Sequence, residues 1–60
     1  MKLYFQKKFL IELSNEDGGY LLRQLKKSKC RVRVSNNTIT LQNQAALDVA
    51  KKELWELNNL

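Results

Sequence analysis

The chain has 60 residues, eleven basic and six acidic, a net charge of +5 and no histidine. One small domain is the most this length allows, and such a chain buries only about 60% of the surface its unfolded form exposes. Cys30 is the only cysteine, which excludes a disulfide framework within these residues, and without histidine no zinc ligand set can be completed. Small cores that lack such staples commonly draw support from oligomerisation, so a homodimer or higher oligomer is expected.

Hydrophobic residues at 43% and charged residues at 28% describe a folded chain rather than a disordered one. No apolar run is long enough for a membrane-spanning helix. Near Lys2 there is neither an uninterrupted apolar core nor a small-residue cleavage site, so no signal peptide is read. The cytoplasm is the expected compartment, and no membrane partner is expected.

Residues 1–13 alternate. Leu3, Phe5, Phe9, Ile11 and Leu13 fall on one side and Lys2, Tyr4, Gln6, Lys8, Leu10 and Glu12 on the other, as in a half-buried strand. The run exceeds the usual strand length, so a bend or bulge is expected at Gln6-Lys7-Lys8. Phe5 and Phe9 belong to the core on this pattern.

The turn-rich stretch from Ser14 to Gly19 permits two readings. Asp17-Gly18-Gly19 can turn a hairpin, making residues 20–27 a second strand. It can instead lead into a helix, with Glu16 and Asp17 favoured near the helix N-terminus. The residues that follow favour helix. Leu21, Leu22 and Leu25 form one stripe while Arg23, Lys26 and Lys27 face away, and Leu, Arg, Gln and Lys are good helix formers.

From Cys30 the period returns to two. Cys30, Val32 and Val34 point inward and Arg31 and Arg33 outward. Asn36-Asn37 is a two-residue turn, since asparagine tolerates positive φ. Ile39 and Leu41 then continue the buried side, with Thr38 and Thr40 exposed. Asn43 can cap a last helix over residues 44–58, whose stripe of Ala46, Leu47, Ala50, Leu54 and Leu57 packs on the sheet. Asp48–Lys52 and Lys52–Glu56 are i,i+4 pairs on its outer side. Trp55 lies off that stripe, which suggests a protein contact.

The predicted fold is thus a small α+β domain of order β-α-β-β-α, with an antiparallel hairpin over 30–41 and a helix over 44–58 on the sheet. The other reading of Gly18-Gly19 gives β-β-β-β-α.

Six of the eleven basic residues, Arg23, Lys26, Lys27, Lys29, Arg31 and Arg33, fall between Tyr20 and Val34 with no acid among them. Lys7 and Lys8 can adjoin them. Clustered cations attract phosphate through Coulomb attraction and counterion release. The bland alternative is a solvated surface that keeps a small protein soluble. Tyr4, Tyr20 and Trp55 are the candidates for stacking on bases. Neither a Cys-His nor a Ser-His arrangement can be assembled, so no catalytic residue and no cofactor is assigned. Glu12, Glu16 and Asp17 could gather around a divalent cation for phosphodiester chemistry, as in a metal-dependent DNA nickase, although a solvated acidic turn is the simpler reading.

Taken together, Leu10-Ile11-Glu12-Leu13, Leu-Leu-Arg-Gln-Leu-Lys-Lys, Cys-Arg-Val-Arg-Val-Ser-Asn-Asn-Thr-Ile-Thr-Leu and Ala-Leu-Asp-Val-Ala-Lys-Lys-Glu-Leu resemble KH-type RNA-binding domains. The KH-like module at the N-terminus of PhoH-family proteins looks nearest. The resemblance spans roughly residues 9–57 and rests on packing patterns. It implies a nucleic-acid partner. KH domains approach the nucleic-acid backbone with a G-x-x-G loop, in whose place this chain has Asp17-Gly18-Gly19, so only the flexibility of Gly18 and Gly19 carries over. The β-β-β-β-α alternative resembles transcriptional-coactivator and Whirly-type proteins, which implies single-stranded DNA on a basic sheet face. A non-enzymatic module binding RNA or single-stranded DNA is therefore the leading expectation. A phage-type inhibitor of a host protein target, in the style of anti-CRISPR proteins, is the second.

Overall fold

The computed structural model describes residues 1–54. Its elements are β1 (Lys2–Phe5), β2 (Lys8–Glu12), α1 (Asn15–Lys27), β3 (Val32–Ser35), β4 (Thr38–Leu41) and α2 (Gln44–Glu53). The four strands form one mixed sheet in the order β2-β1-β4-β3. β1 and β4 lie parallel at its centre, and each is flanked by its antiparallel hairpin partner. The α+β class holds, with one strand more than the predicted order.

That extra strand comes from residues 1–13, which fold back on themselves instead of running on. Gln6-Lys7 makes the turn, with Gln6 at φ 54°. Positive φ is what a two-residue hairpin turn demands, although glycine or asparagine usually supplies it. β2 then carries a bulge. Leu3 faces Ile11 and Tyr4 faces Phe9, leaving Leu10 as the additional residue. One extra residue reverses the facing of everything beyond it. Ile11 therefore packs against the core, whereas Phe9 stands 49% exposed. This corrects the placement of Phe9 in the core, while Phe5 does pack against it.

Residues 15–27 are helical, which removes the β-β-β-β-α alternative. α1 begins earlier than the leucine stripe suggests, because Ser14 caps it. The Asp17 backbone N–H donates to Ser14 Oγ at 3.1 Å. Acids in the first turn and Lys26 and Lys27 in the last complement the helix dipole. Gly18 and Gly19 thus lie inside a helix, and neither has positive φ. The loop flexibility expected of them is not used.

Their roles differ all the same. A Cβ on Gly18 would overlap Met1 Sδ and lie 3.1 Å from Met1 Cγ, whereas a Cβ on Gly19 meets nothing within 4 Å. Gly19→Ala is expected to stabilise by about 1 kcal/mol through helix propensity. In a domain of this size that raises the melting temperature by about 4–8 °C. Gly18→Ala should lose that gain to crowding against Met1. Thermal melts followed by circular dichroism check the pair, and equal gains from both would refute the close approach of Met1.

Among the described residues, eight form the core: Leu3, Leu13, Leu21, Leu25, Ile39, Leu41, Ala46 and Ala50. Leu21 and Leu25 come from α1, and Ala46 and Ala50 from α2. Both helices therefore cover one face of the sheet. The alanines let α2 sit close to it, and Asn43 caps that helix by accepting from Ala46 N–H at 2.9 Å.

α2 is shorter than expected. It closes after Glu53, where Leu54 takes extended backbone and donates its N–H to Ala50 O at 2.8 Å. On its outer side Asp48 accepts from Gln44 Nε2 at 3.0 Å, one turn back, rather than pairing with Lys52. Trp55, Glu56 and Leu57 lie outside the described residues. Among those described, no helix is long and apolar enough to cross a membrane.

The second hairpin follows its sequence pattern. Asn36 and Asn37 both have positive φ, at 44° and 63°, and β3 pairs with β4 from Val32↔Leu41 to Ser35↔Thr38. β3 starts at Val32, two residues later than the alternation suggests, and Cys30 precedes it half-buried. Val34 faces the helix side but is 48% exposed, because β3 is an edge strand.

Candidate nucleic-acid interface

The basic residues are arranged by the directions of the strands. β1 and β4 run the same way, so the Gln6-Lys7 turn and the end of β4 share one end of the sheet. Gln6 N–H donates to Leu41 O at 2.9 Å, and Gln42 N–H to Arg31 O at 2.9 Å. These two bonds tie the first hairpin, the end of β4 and the start of β3 into one rim. α1 climbs from the opposite end after Glu12 and finishes here, with Ser28 N–H on Gln24 O and Leu25 O and Cys30 N–H on Leu25 O. Lys7, Lys8, Lys26, Lys27, Lys29 and Arg31 thus gather at one end of the domain, all exposed. With strands about 4.8 Å apart, the four-stranded rim is about 14 Å wide.

Three of the acids go elsewhere. Glu12, Glu16 and Asp17 lie at the far end, around the start of α1, and Glu12 is 3.5 Å from the Met1 ammonium. They do not build a metal centre. Among the described residues no three of His, Cys, Asp and Glu are placed to hold an ion.

Two predicted basic residues stand apart from the rim. Arg33 lies inside β3, where its partner is Thr40. Strand alternation places it on the sheet face that the helices leave open. Arg23 lies on the flank of α1 beside Tyr20. The Tyr20 hydroxyl donates to Glu53 Oε2 at 2.9 Å and ties α1 to α2. That hydrogen bond and the carboxylate charge hold the phenol above its ordinary pKa, while the Arg23 cation pulls the other way. Because the folded value is raised above the unfolded one, the contribution is complete below about pH 10 and disappears as the phenol ionises above it. An ultraviolet titration should show Tyr20 ionising late, and Glu53→Gln should return it toward the ordinary value.

The open face holds what the sequence pattern missed. Pairing runs Phe9–Tyr4–Thr40–Arg33 straight across all four strands. The rings of Tyr4 and Phe9 meet edge to face, with centroids 5.5 Å apart at 73°. The next row is Glu12–Lys2–Thr38–Ser35. Lys2 and Tyr4 stand on this face as their polar-side positions in the alternation place them, whereas Phe9 reaches it because the two-residue turn at Gln6-Lys7 puts Phe5 and Lys8 on one face and so reverses the alternation. Tyr20 is on a helix and Trp55 lies outside the described residues. No family model matches the chain, and neither does any curated protein or any solved structure.

Proposed function

We propose that this protein is a non-enzymatic nucleic-acid-binding module that holds RNA or single-stranded DNA through its basic rim. One observation supports this most: segments far apart in sequence bring Lys7, Lys8, Lys26, Lys27, Lys29 and Arg31 to one end, with Glu12, Glu16 and Asp17 at the other. Charge separated in this way makes a field that steers an anion to one side of a small molecule. α2 begins at the same rim with no acid in its first turn, so its positive helix end is left uncompensated there. The module works in the cytoplasm, where the unpaired Cys30 thiol stays reduced. A mobility shift at two salt concentrations tests it. Binding that weakens steeply with salt supports the reading, and no binding to any RNA or single-stranded DNA removes it.

A second reading is favoured by the β3 edge, where Val34 is 48% exposed. An unpaired strand edge with an apolar side chain accepts a strand from another chain. That partner would be a second copy, giving a homodimer, or a host protein that the module inhibits. A pull-down that survives nuclease treatment, together with a sedimentation measurement of the isolated protein, separates these from nucleic-acid binding.

A further inference from the structure

The open face of the sheet combines aromatic, cationic and hydroxyl side chains. It carries two adjacent aromatic rings, and one of them, Phe9, is half exposed. The row containing those rings ends in a guanidinium, Arg33, with the Thr40 hydroxyl between. Lys2 and Thr38 stand in the row below, and Arg31 lies beyond Arg33 toward the rim. Among the described residues the one acid on the face, Glu12, sits at its far corner beside the Met1 ammonium.

We propose that this face is a stacking platform for unpaired bases, so that the substrate is a single strand rather than a duplex. The inference deepens the nucleic-acid reading above and rests on it. Aromatic rings on a positively charged surface seat bases by their π-faces, which are accessible only when the bases are not stacked in a duplex. Tyr4 and Phe9 offer room for about two bases. Arg33, Arg31 and Lys2 then reach the phosphates of the same strand, and the Thr38 and Thr40 hydroxyls donate to phosphate or sugar oxygens. Because Arg31 belongs to both surfaces, a strand leaving the platform passes directly onto the rim. The rim supplies charge, and the face supplies the discrimination between paired and unpaired bases. An apolar partner is a poor match for a face bordered by two arginines and a lysine.

The test compares a short oligouridine with an RNA duplex of equal length, binding both to the intact protein and to Phe9→Leu and Tyr4→Leu variants. Leucine keeps apolar bulk and removes the ring, and circular dichroism verifies that each variant folds. The platform requires wild-type protein to prefer the single strand. It also requires each variant to lose about 5- to 150-fold in single-strand affinity, the range for loss of one stacked base. Duplex affinity and the salt slope should stay the same, because no phosphate contact is removed. Equal, salt-sensitive binding of both nucleic acids that ignores the two substitutions overturns the platform and leaves the rim intact. No binding of either nucleic acid overturns both. A dimer that dissociates on Phe9→Leu, with nucleic-acid affinity unchanged, also overturns the proposal and assigns the face to a second copy.

Discussion

Replacing Lys7, Lys29 and Arg31 together with glutamine should lower single-strand affinity about 100-fold at about 0.1 M salt. The figure follows from counterion release. Each phosphate contact to a single strand contributes about 0.7 to the slope of log affinity against log salt, which is about 5-fold in affinity at that concentration. Three lost contacts flatten the slope by about 2. The three residues come from two segments distant in sequence, the first turn and the connection between α1 and β3, so a loss of this size requires those segments to act as one surface. All three are exposed, and surface substitutions of this kind alter stability by about 0.5 kcal/mol or less. Arg23→Gln serves as the contrast. It removes one positive charge, as each rim substitution does, but on the flank of α1, away from the rim, and should leave the slope nearly unchanged. A salt titration of all three proteins decides the matter. If Arg23→Gln flattens the slope as much as a rim substitution, charge placement has no part in binding.

Leu25→Ala should unfold a large fraction of the protein at physiological temperature. Leu25 is fully buried, one helical turn from Leu21, and packs with strand residues and both α2 alanines in the core. Truncating such a leucine costs about 2–5 kcal/mol, because the cavity left behind closes only partly. A domain of this length has about 3–9 kcal/mol of stability in total. The loss is therefore comparable with the whole. Leu22→Ala, one position around the helix and only half-buried, should cost visibly less. Urea denaturation followed by circular dichroism gives both values. Equal midpoints for the two variants would contradict the burial difference between them.

How much of this was legible in the chain depended on whether the deciding interaction was local. The second hairpin was readable because Asn36-Asn37 announces its own positive φ, and the valines, isoleucine and leucine around it keep strict alternation. Asn43 announced the start of α2 for a similar reason. The Gln6-Lys7 turn announced nothing. Neither residue favours positive φ, and the pairing of β1 with both β2 and β4 imposes it. Ser14 followed by Asp17 three residues later was a helix-start signal, masked by the stronger hairpin associations of Asp-Gly and Gly-Gly. The candidate site divides along the same line. Arg31, Arg33, Thr38 and Thr40 were placed by alternation. Phe9 was misplaced because the two-residue turn puts Phe5 and Lys8 on one face and so reverses the alternation, which the bulge at Leu10 then restores for Ile11 and Leu13. The convergence of Lys7 and Lys8 with the end of α1 is a product of topology, which no window along the sequence contains.

The parallel pairing of β1 with β4 has a kinetic consequence. Residues 2–5 must wait for residues 38–41 before the middle of the sheet can close, and contacts so distant along the chain carry a loop-closure cost that slows folding. Each hairpin can form early by itself, but Tyr4 meets Thr40 only when the two are joined. The row from Phe9 to Arg33 is consequently complete only once β1 and β4 are paired. A ligand that spans it binds the finished molecule alone, so ligand-dependent protection from unfolding and assembly of the last interface become one measurable event.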